Sequence, residues 1–327
     1  MCGEATGRHR LPERSDRVGA YRSRRQEEVA VSDAVRLLCV HPHPDDESIA
    51  CGGVLARAAA QGAVTAVVTC TGGEAGENLA GIDLDGEDLA THRRRELADA
   101  LAELGVAEHV WLGYRDSGMA GTPENDHVDA FAGADVEEAA MRLAAVLRRL
   151  RPHVVVSDDA QGTYGHPDHV QAHRVTVRAT ELAEDPGVEL DGLAPWSVAK
   201  RYVHALAVER LLQLHATLRD AGLASPFGEE RELDREALPF GVPEEQISTR
   251  VDVRAHLEAK RAALRAHRSQ ISDDSFFLNL PDDLADEVFG VEEFVLERGR
   301  PAQDPGSGYE PDLFAGLAVD RAARGDG

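Results

Sequence analysis

The amino-acid sequence predicts an α/β fold: a Rossmann-like, doubly wound, mostly parallel sheet with a C-terminal segment covering the pocket. Short apolar runs, typical of buried strands, alternate with helical patterns between residues 35 and 183. Two of these runs end in polar motifs that contain histidine and aspartate. Ligands bind at the carboxyl ends of strands in such sheets, so the motifs mark the expected site. No GxGxxG fingerprint follows the first run, so the fold does not by itself imply a dinucleotide.

The first elements are the most clearly patterned. The apolar run at residues 35–41 predicts a buried strand. The acidic and hydroxyl residues at 45–48 are helix-capping types, and a helix is expected over residues 46–61. A second strand over residues 64–70 leads into a loop, residues 71–86, that is rich in glycine and acids.

The alternation continues through the next hundred residues. A long loop, residues 113–134, interrupts it after the third strand. The remaining predicted elements are helices over residues 89–104, 135–150 and 167–183, and strands over residues 109–112 and 153–157.

Beyond residue 187 the periodicity is weaker. The sequence predicts, in order, a strand over 197–208, a helix over 210–221, an irregular acidic stretch over 225–243, a strand over 251–254 and a helix over 256–270. Residues 1–33 are polar, rich in arginine and without periodicity, which predicts a disordered extension. Residues 34–186 are expected to form the Rossmann-like catalytic core. Residues 187–327 are expected to complete the same domain as a pocket lid and tail.

Composition excludes several classes of partner. The chain has 35 Lys and Arg residues against 59 Asp and Glu residues, giving a formal charge of −24. This argues against nucleic acid and against an anionic membrane surface, because both require a basic face. The four cysteines have no metal-ribbon spacing, and so few cysteines are typical of the reducing cytoplasm, where we expect the protein. A homo-oligomer is compatible with the sequence.

The first polar motif has the composition of a metal site. It reads HPDDE at residues 43–47 and directly follows the first strand. His43 and Asp46 are three residues apart across a tight turn, so both can face one divalent ion, with zinc the best match for these ligand types. Asp45 would then be free to act as a base. The alternative interpretation is a helix cap beside a surface histidine.

A second motif makes the metal interpretation stronger. It reads YGHPDH at residues 164–169 and follows the apolar strand at residues 153–157. A catalytic zinc takes three protein ligands and keeps one position open. One histidine of this motif would complete the set, and from the residues alone His166 and His169 are interchangeable.

Both motifs together resemble the LmbE-like (PIG-L) zinc N-deacetylases, and most closely their mycothiol-pathway branch. Further similar stretches are CTGGE at residues 70–74, GYRDSGM at residues 113–119 and KRAALRAH at residues 260–267. The resemblance extends from about residue 35 to about residue 317. It implies a metal-dependent amide hydrolase that removes acetyl from an N-acetylglucosamine-type glycoside, with N-acetylglucosaminyl-inositol as the leading substrate.

The resemblance also implies roles for individual residues. It places one zinc ion on His43, Asp46 and His169, and iron(II) also suits such a ligand set. It makes Asp45 the general base and Tyr164 the donor to the oxyanion. The remaining roles concern the second motif: His166 or protonated Asp45 protonates the leaving amine, and Asp168 orients His166.

The loop at residues 113–119 is expected to meet the sugar. By resemblance, Asp116 would accept hydrogen bonds from hydroxyl groups, Met119 would pack on the ring, and Arg115 would contact substrate or brace the loop. Without the resemblance, an ordinary Gly/Ser loop is the simpler interpretation.

Two positions depart from close relatives in the resembled family. Mycothiol-pathway deacetylases are expected to carry an arginine after the Gly-Glu loop, but residues 77–85 here are acidic and contain none. This keeps open a natural-product tailoring deacetylase that acts on an aminosugar or aminoglycoside-like intermediate. Mycothiol S-conjugate amidases typically have lysine where this chain has Ala50, which argues against that activity.

Two other classes remain as alternatives. A metal-containing binding module without turnover would not need the base Asp45. A nucleotide-binding dehydrogenase on the same fold would need the absent glycine fingerprint.

Overall fold

The computed structural model describes residues 34–228, 233–238 and 240–317. The predicted N-terminal extension, residues 1–33, and the end of the predicted tail lie outside the described residues. The strands are β1 (Arg36–His41), β2 (Val64–Thr71), β3 (Glu108–Tyr114), β4 (Val154–Ser157), β5 (Lys200–Ala205), β6 (Thr249–Asp252) and β7 (Val291–Arg298). The helices are α1 (Asp46–Ala60), α2 (Leu89–Glu103), α3 (Val136–Leu150), α4 (Pro167–Glu184), α5 (Val208–Asp220), α6 (Leu257–Ala266) and α7 (Asp282–Phe289).

The strands form one mixed sheet in the order β3-β2-β1-β4-β5-β7-β6. Strands β1 to β5 are parallel, as the alternation of strands and helices predicts. The chain runs outward from β1 to β3 on one side and then returns to place β4 on the other side of β1. The carboxyl ends of β1 and β4 are therefore adjacent at a topological switch point, where a crevice opens outside the sheet.

Strand β7 and helix α7 were not predicted. Strand β7 pairs antiparallel with both β5 and β6, so the far edge of the sheet departs from the parallel pattern. Its sequence, VEEFVLER, carries acids at positions that the sheet buries: Glu292 and Glu293 are both buried. Glu292 binds the backbone of α1 and Lys260, and Glu293 binds the backbone N–H of Ala207. These partners are distant in sequence, and their hydrogen bonds offset the cost of burying the two carboxylates. No local sequence pattern indicates such partners.

Helices cover both faces of the sheet. Along β1, alternate side chains face opposite layers: Leu37 and Cys39 contact the layer of α1, α2 and α6, whereas Leu38 and Val40 contact the layer of α3 and α4. Each fully buried leucine contributes about 1.5–3 kcal/mol relative to an exposed one. These two apolar layers hold the switch point between them.

The C-terminal part is attached to the sheet by a buried ion pair. Lys200 of β5 lies 2.5 Å from Glu310, which also accepts hydrogen bonds from Tyr202 and Thr249. Residues beyond α6 approach the crevice: Gln270 donates to the carbonyl of Glu77 in the loop after β2. The predicted lid function of this C-terminal part stays a prediction.

Candidate metal and active site

The first motif forms the turn between β1 and α1. Asp45 is the N-cap residue, with φ 105° and ψ −31°, a conformation that is uncommon for residues other than glycine. This turn gives the two consecutive carboxylates different partners. Asp46 Oδ2 lies 3.4 Å from His43 Nδ1 and 3.6 Å from His169 Nε2, whereas Asp45 Oδ2 lies 3.3 Å from Arg93.

The second motif forms the turn between β4 and α4. His166 caps α4, and its Nδ1 accepts a hydrogen bond of 3.1 Å from the backbone N–H of Asp168. His169 lies in the first turn of that helix. Because β1 and β4 are neighbours, the ring centroids of His43 and His169 are only 5.3 Å apart. The structure thus brings the two sequence motifs together.

His43 and His169 each approach Asp46 at a separation that suits a shared divalent ion, and His43, His166 and His169 together form a group that could hold one. Ligand atoms on a tetrahedral zinc, with bonds of about 2.0–2.1 Å, stand about 3.3–3.4 Å apart. The separations from Asp46 Oδ2 to the two histidines, 3.4 Å and 3.6 Å, are close to this value. His169 Nε2 is buried and has no hydrogen-bond partner among the described residues. An ion at this point would satisfy it.

Carboxylates behind the two histidines fix their rings. His43 Nε2 lies 3.2 Å from Asp168 Oδ2 and 3.4 Å from Asp116 Oδ1, which leaves Nδ1 facing Asp46. His169 Nδ1 lies 2.6 Å from Asp158 Oδ1, which leaves Nε2 facing Asp46. Such carboxylate–histidine pairs set the tautomer and raise the basicity of metal ligands.

Two sequence expectations need correction here. Asp168 was expected to orient His166, but its carboxylate accepts from the backbone N–H of Ser117 and contacts His43. Asp116 was expected to accept from substrate hydroxyl groups, but it is only 4% exposed. Its oxygens accept from the backbone N–H groups of Ala75 and Gly118 and face His43. The loop after β3 folds inward, so both acids serve the histidine instead.

The other two residues of that loop differ in exposure. Met119 is 46% exposed, and it follows directly on the residues that contact His43 and Asp168, so its predicted contact with the sugar stays a prediction. Arg115 has a buried Nε without a hydrogen-bond partner among the described residues, and its backbone pairs with Asp129 and Phe131. Its predicted role, in substrate contact or in bracing the loop, stays a prediction.

Asp45 is held by groups that sequence reasoning missed. Arg93 is buried and donates to the carbonyls of Gly73 and Pro44 as well as to Asp45. Glu47 accepts from the backbone N–H of Asp45 and lies 2.8 Å from His267. Burial raises the pKa of Asp45 to about 6, against the opposing effect of Arg93. A carboxyl group with a pKa near neutrality can both take and return a proton.

Tyr164 and His166 border the open side of the cluster. Tyr164 is 47% exposed, and its ring centroid lies 5.2 Å from that of His169. Burial of its inner side and the nearby Asp46 carboxylate raise the pKa of Tyr164, so its hydroxyl group stays a donor at neutral pH. Burial and the neighbouring His43 lower the pKa of His166 to about 4, which keeps this imidazole neutral.

The contact of Asp158 with the histidines was also missed, although its position gave a signal. It follows β4 directly, a few residues before the second motif, and carboxylates there can reach the crevice. Its Oδ1 contacts both His169 and His204. His267, the partner of Glu47, ends the KRAALRAH stretch, but no local pattern indicates a contact between residues 220 positions apart in sequence.

The contact of Asp158 with His169 leads to a testable expectation. Asp158→Asn should weaken divalent-metal affinity about 10–100-fold, because the amide removes the charge that fixes and polarises the imidazole. Competition with a chromogenic chelator measures this affinity. Asp159→Asn is the matched control, since within the described part of the chain the Asp159 carboxylate accepts only from backbone N–H groups of its own loop. Equal affinity in both variants would contradict the role of Asp158.

Comparisons with known proteins agree with this site. Residues 38–180 match the family described as PIG-L: GlcNAc-PI de-N-acetylase. A 1D-myo-inositol 2-acetamido-2-deoxy-alpha-D-glucopyranoside deacetylase from Thermomonospora curvata is 47% identical over 293 residues, covering 86% of this chain and 97% of that protein.

Solved structures show the same fold. The conserved protein TT1542 from Thermus thermophilus is 27% identical with a TM-score of 0.51, over 83% of this chain and 97% of that one. The N,N'-diacetylchitobiose deacetylase from Pyrococcus horikoshii is 24% identical with a TM-score of 0.55, over 82% and 85% respectively.

The histidine and carboxylate cluster at the switch point of this α/β sheet, together with the similarity to deacetylases, defines an enzyme of the amide-hydrolysing class. The match to the Thermomonospora protein is extensive enough to assign the family. The chain belongs to the PIG-L (LmbE-like) family of de-N-acetylases.

Proposed function

We propose that this protein is a zinc-dependent N-deacetylase that hydrolyses the acetamide of an N-acetylglucosamine-type glycoside. The leading substrate is N-acetylglucosaminyl-inositol, an intermediate of mycothiol biosynthesis. The observation that carries this proposal is the 47% identity over 97% of a relative whose name specifies this inositol glycoside. The polar cluster at the ends of β1 and β4 supplies the donors and the base that the reaction requires.

His43, Asp46 and His169 would hold the ion. They supply two imidazoles and a carboxylate, which is a ligand set found in catalytic zinc sites and also accepted by iron(II). When bound, zinc acts as a Lewis acid and lowers the pKa of a coordinated water toward neutrality. Asp158, Asp168 and Asp116 keep the two imidazoles in the tautomers that this binding needs.

Asp45 is proposed as the general base. It would take a proton from the water that attacks the acetamide carbonyl carbon, and Arg93 and the Glu47–His267 pair hold the turn that carries it. Tyr164 is proposed to donate its hydroxyl hydrogen to the oxyanion as negative charge develops there. Its half-exposed position beside His169 leaves room for a substrate.

The leaving amine needs a proton as the carbon–nitrogen bond breaks. Asp45, protonated in the first step, can return its proton to the nitrogen. His166 faces the same cluster, but burial lowers its pKa to about 4, and a neutral imidazole is a weak acid. We therefore assign the proton to Asp45, and we assign His166 a hydrogen bond to the reacting amide.

Substrate selection is proposed to involve the loops after β2 and β3. Met119 would pack on the sugar ring, with Arg115 bracing that loop. A second candidate function, tailoring of an aminosugar or aminoglycoside-like natural product, is favoured by one feature of the other loop. Asp83 and Asp85 are exposed there, and no arginine lies between residues 77 and 85. An acidic loop suits a cationic acceptor.

A substrate panel tests the proposal directly. We expect the zinc-loaded protein to release amine from N-acetylglucosaminyl-inositol, and to act much more slowly on free N-acetylglucosamine, a mycothiol conjugate and an acetylated aminoglycoside. Fluorescent labelling of the free amine gives kcat/KM for each compound. Release only from the aminoglycoside would favour the tailoring enzyme. If the zinc-loaded protein released amine from none of these acetamides, deacetylation of these substrate classes would be rejected.

The proposed partner is therefore a small acetylated aminosugar. The charge of −24 does not favour nucleic acid. Among the helices of the described residues, none combines the length and apolar character needed to cross a bilayer. Cys39, Cys51 and Cys70 are unpaired thiols, which supports the proposal of a cytoplasmic protein.

A further inference from the structure

Three buried side chains meet in the core beneath the first motif: Cys39 and His41 of β1 and Cys51 of α1. Cys39 and His41 are two residues apart on the strand and therefore share the face that packs against α1. The two sulfur atoms and one ring nitrogen all lie within 4.8 Å of one another. Each of the three residues has 0% exposure. None of them has a part in the proposed deacetylation.

His41 is the residue whose position needs an explanation. Its Nδ1 and Nε2 are both buried, and neither has an acceptable hydrogen-bond partner among the described residues. The Cys39 thiol interacts with the imidazole, but the contact falls short of an acceptable hydrogen-bond geometry at either nitrogen. Native proteins rarely leave a buried polar group in this state, and a bound ion is one of the standard reasons.

The two thiols are chemically suited to bind an ion. Burial raises the pKa of Cys51 well above its usual range. Thiolate is the form that binds metals, so an ion entering this cluster would release the thiol protons as it binds.

We propose that Cys39, His41 and Cys51 form a second, structural site for a zinc-type divalent cation. Two thiolates and an imidazole are preferred zinc ligands. Thiolates on one tetrahedral zinc stand about 3.8 Å apart, so the three groups need to close in only slightly. The ion would link the end of β1 to α1. It would thereby stabilise the turn between them, which carries His43 and Asp45.

Cobalt substitution separates this site from the one in the crevice. The full-length protein would be produced in minimal medium with cobalt in place of zinc, because the buried groups must be loaded during folding. We expect two equivalents of cobalt and an intense near-ultraviolet thiolate-to-cobalt charge-transfer band. The site of His43, Asp46 and His169 has no thiolate and cannot produce this band.

Matched variants assign the band to its ligands. Cys51→Ala should lose the band and one cobalt equivalent. Cys70→Ala is the control, since Cys70 is an equally buried thiol that belongs to the opposite apolar layer and should change neither. His169→Ala should lose the other equivalent and keep the band, so the two proposals succeed or fail independently.

Two results would overturn the second site. The first is the finding that the wild-type protein binds one cobalt equivalent or fewer and shows no charge-transfer band. This test does not depend on the folding of any variant. The second is a band that persists in Cys51→Ala. A chelator supplies further support: it should strip the ion from the open crevice quickly, whereas the buried ion should leave only when the protein is unfolded with guanidinium.

Discussion

Replacing Asp45 by asparagine is expected to lower kcat about 10²–10⁴-fold while metal content stays unchanged. The loss follows because an amide cannot take a proton from the attacking water. Metal content should persist because Asp45 Oδ2 contacts Arg93, whereas the carboxylate shared by the two histidines belongs to Asp46. Amine release gives kcat, and elemental analysis of the same sample gives the metal-to-protein ratio.

Asparagine is a better choice than alanine at this position. The backbone of Asp45 has φ 105°, and asparagine tolerates positive φ better than alanine does, so local strain does not confuse the result. Asp46→Asn is the control, and it should lose the crevice ion and activity together. Full turnover in Asp45→Asn would refute the general base, and loss of metal in that variant would identify Asp45 as a ligand.

The local part of the fold could be predicted from sequence. Strands β1 to β5 follow apolar runs of four to eight residues, and the helices between them begin at capping residues such as Asp88 and Asp135, whose side chains accept from backbone N–H groups. Both metal motifs are short and continuous, so their positions at strand ends could also be read from the sequence.

The features that the sequence did not predict depend on contacts between residues that are far apart in sequence. Helix α6 was expected to continue to residue 270, but it ends at Ala266. Its continuation instead bends toward the site, where His267 contacts Glu47 and Ser269 donates to Glu96. Buried polar groups require such partners, and the requirement outweighs helical periodicity. Arg93 is a similar case, because its charge predicts exposure and its buried carbonyl partners are known only from the fold.

The sequence alone could not decide whether His166 or His169 is the metal ligand, and the geometry favours His169. His169 Nε2 is unpartnered within the described residues and faces Asp46, and Asp158 anchors the opposite nitrogen. His166 Nδ1 is already used as a cap for α4. Both histidines lie with His43 in one group that could hold an ion, and we propose His169 as the ligand because of its contacts with Asp46 and Asp158.

His169→Ala is accordingly expected to lose both the crevice ion and turnover, because two remaining ligands cannot hold zinc in a three-ligand site. His166→Ala should retain the ion and lose only turnover, which separates ligation from catalysis. Chelator competition measures the crevice ion and amine release measures turnover in each variant. His173→Ala, one turn further along α4 and paired with Glu297, is the matched control and should change neither quantity. Retention of the crevice ion in His169→Ala together with its loss in His166→Ala would exchange the roles of the two histidines, since only a ligand can produce that pattern.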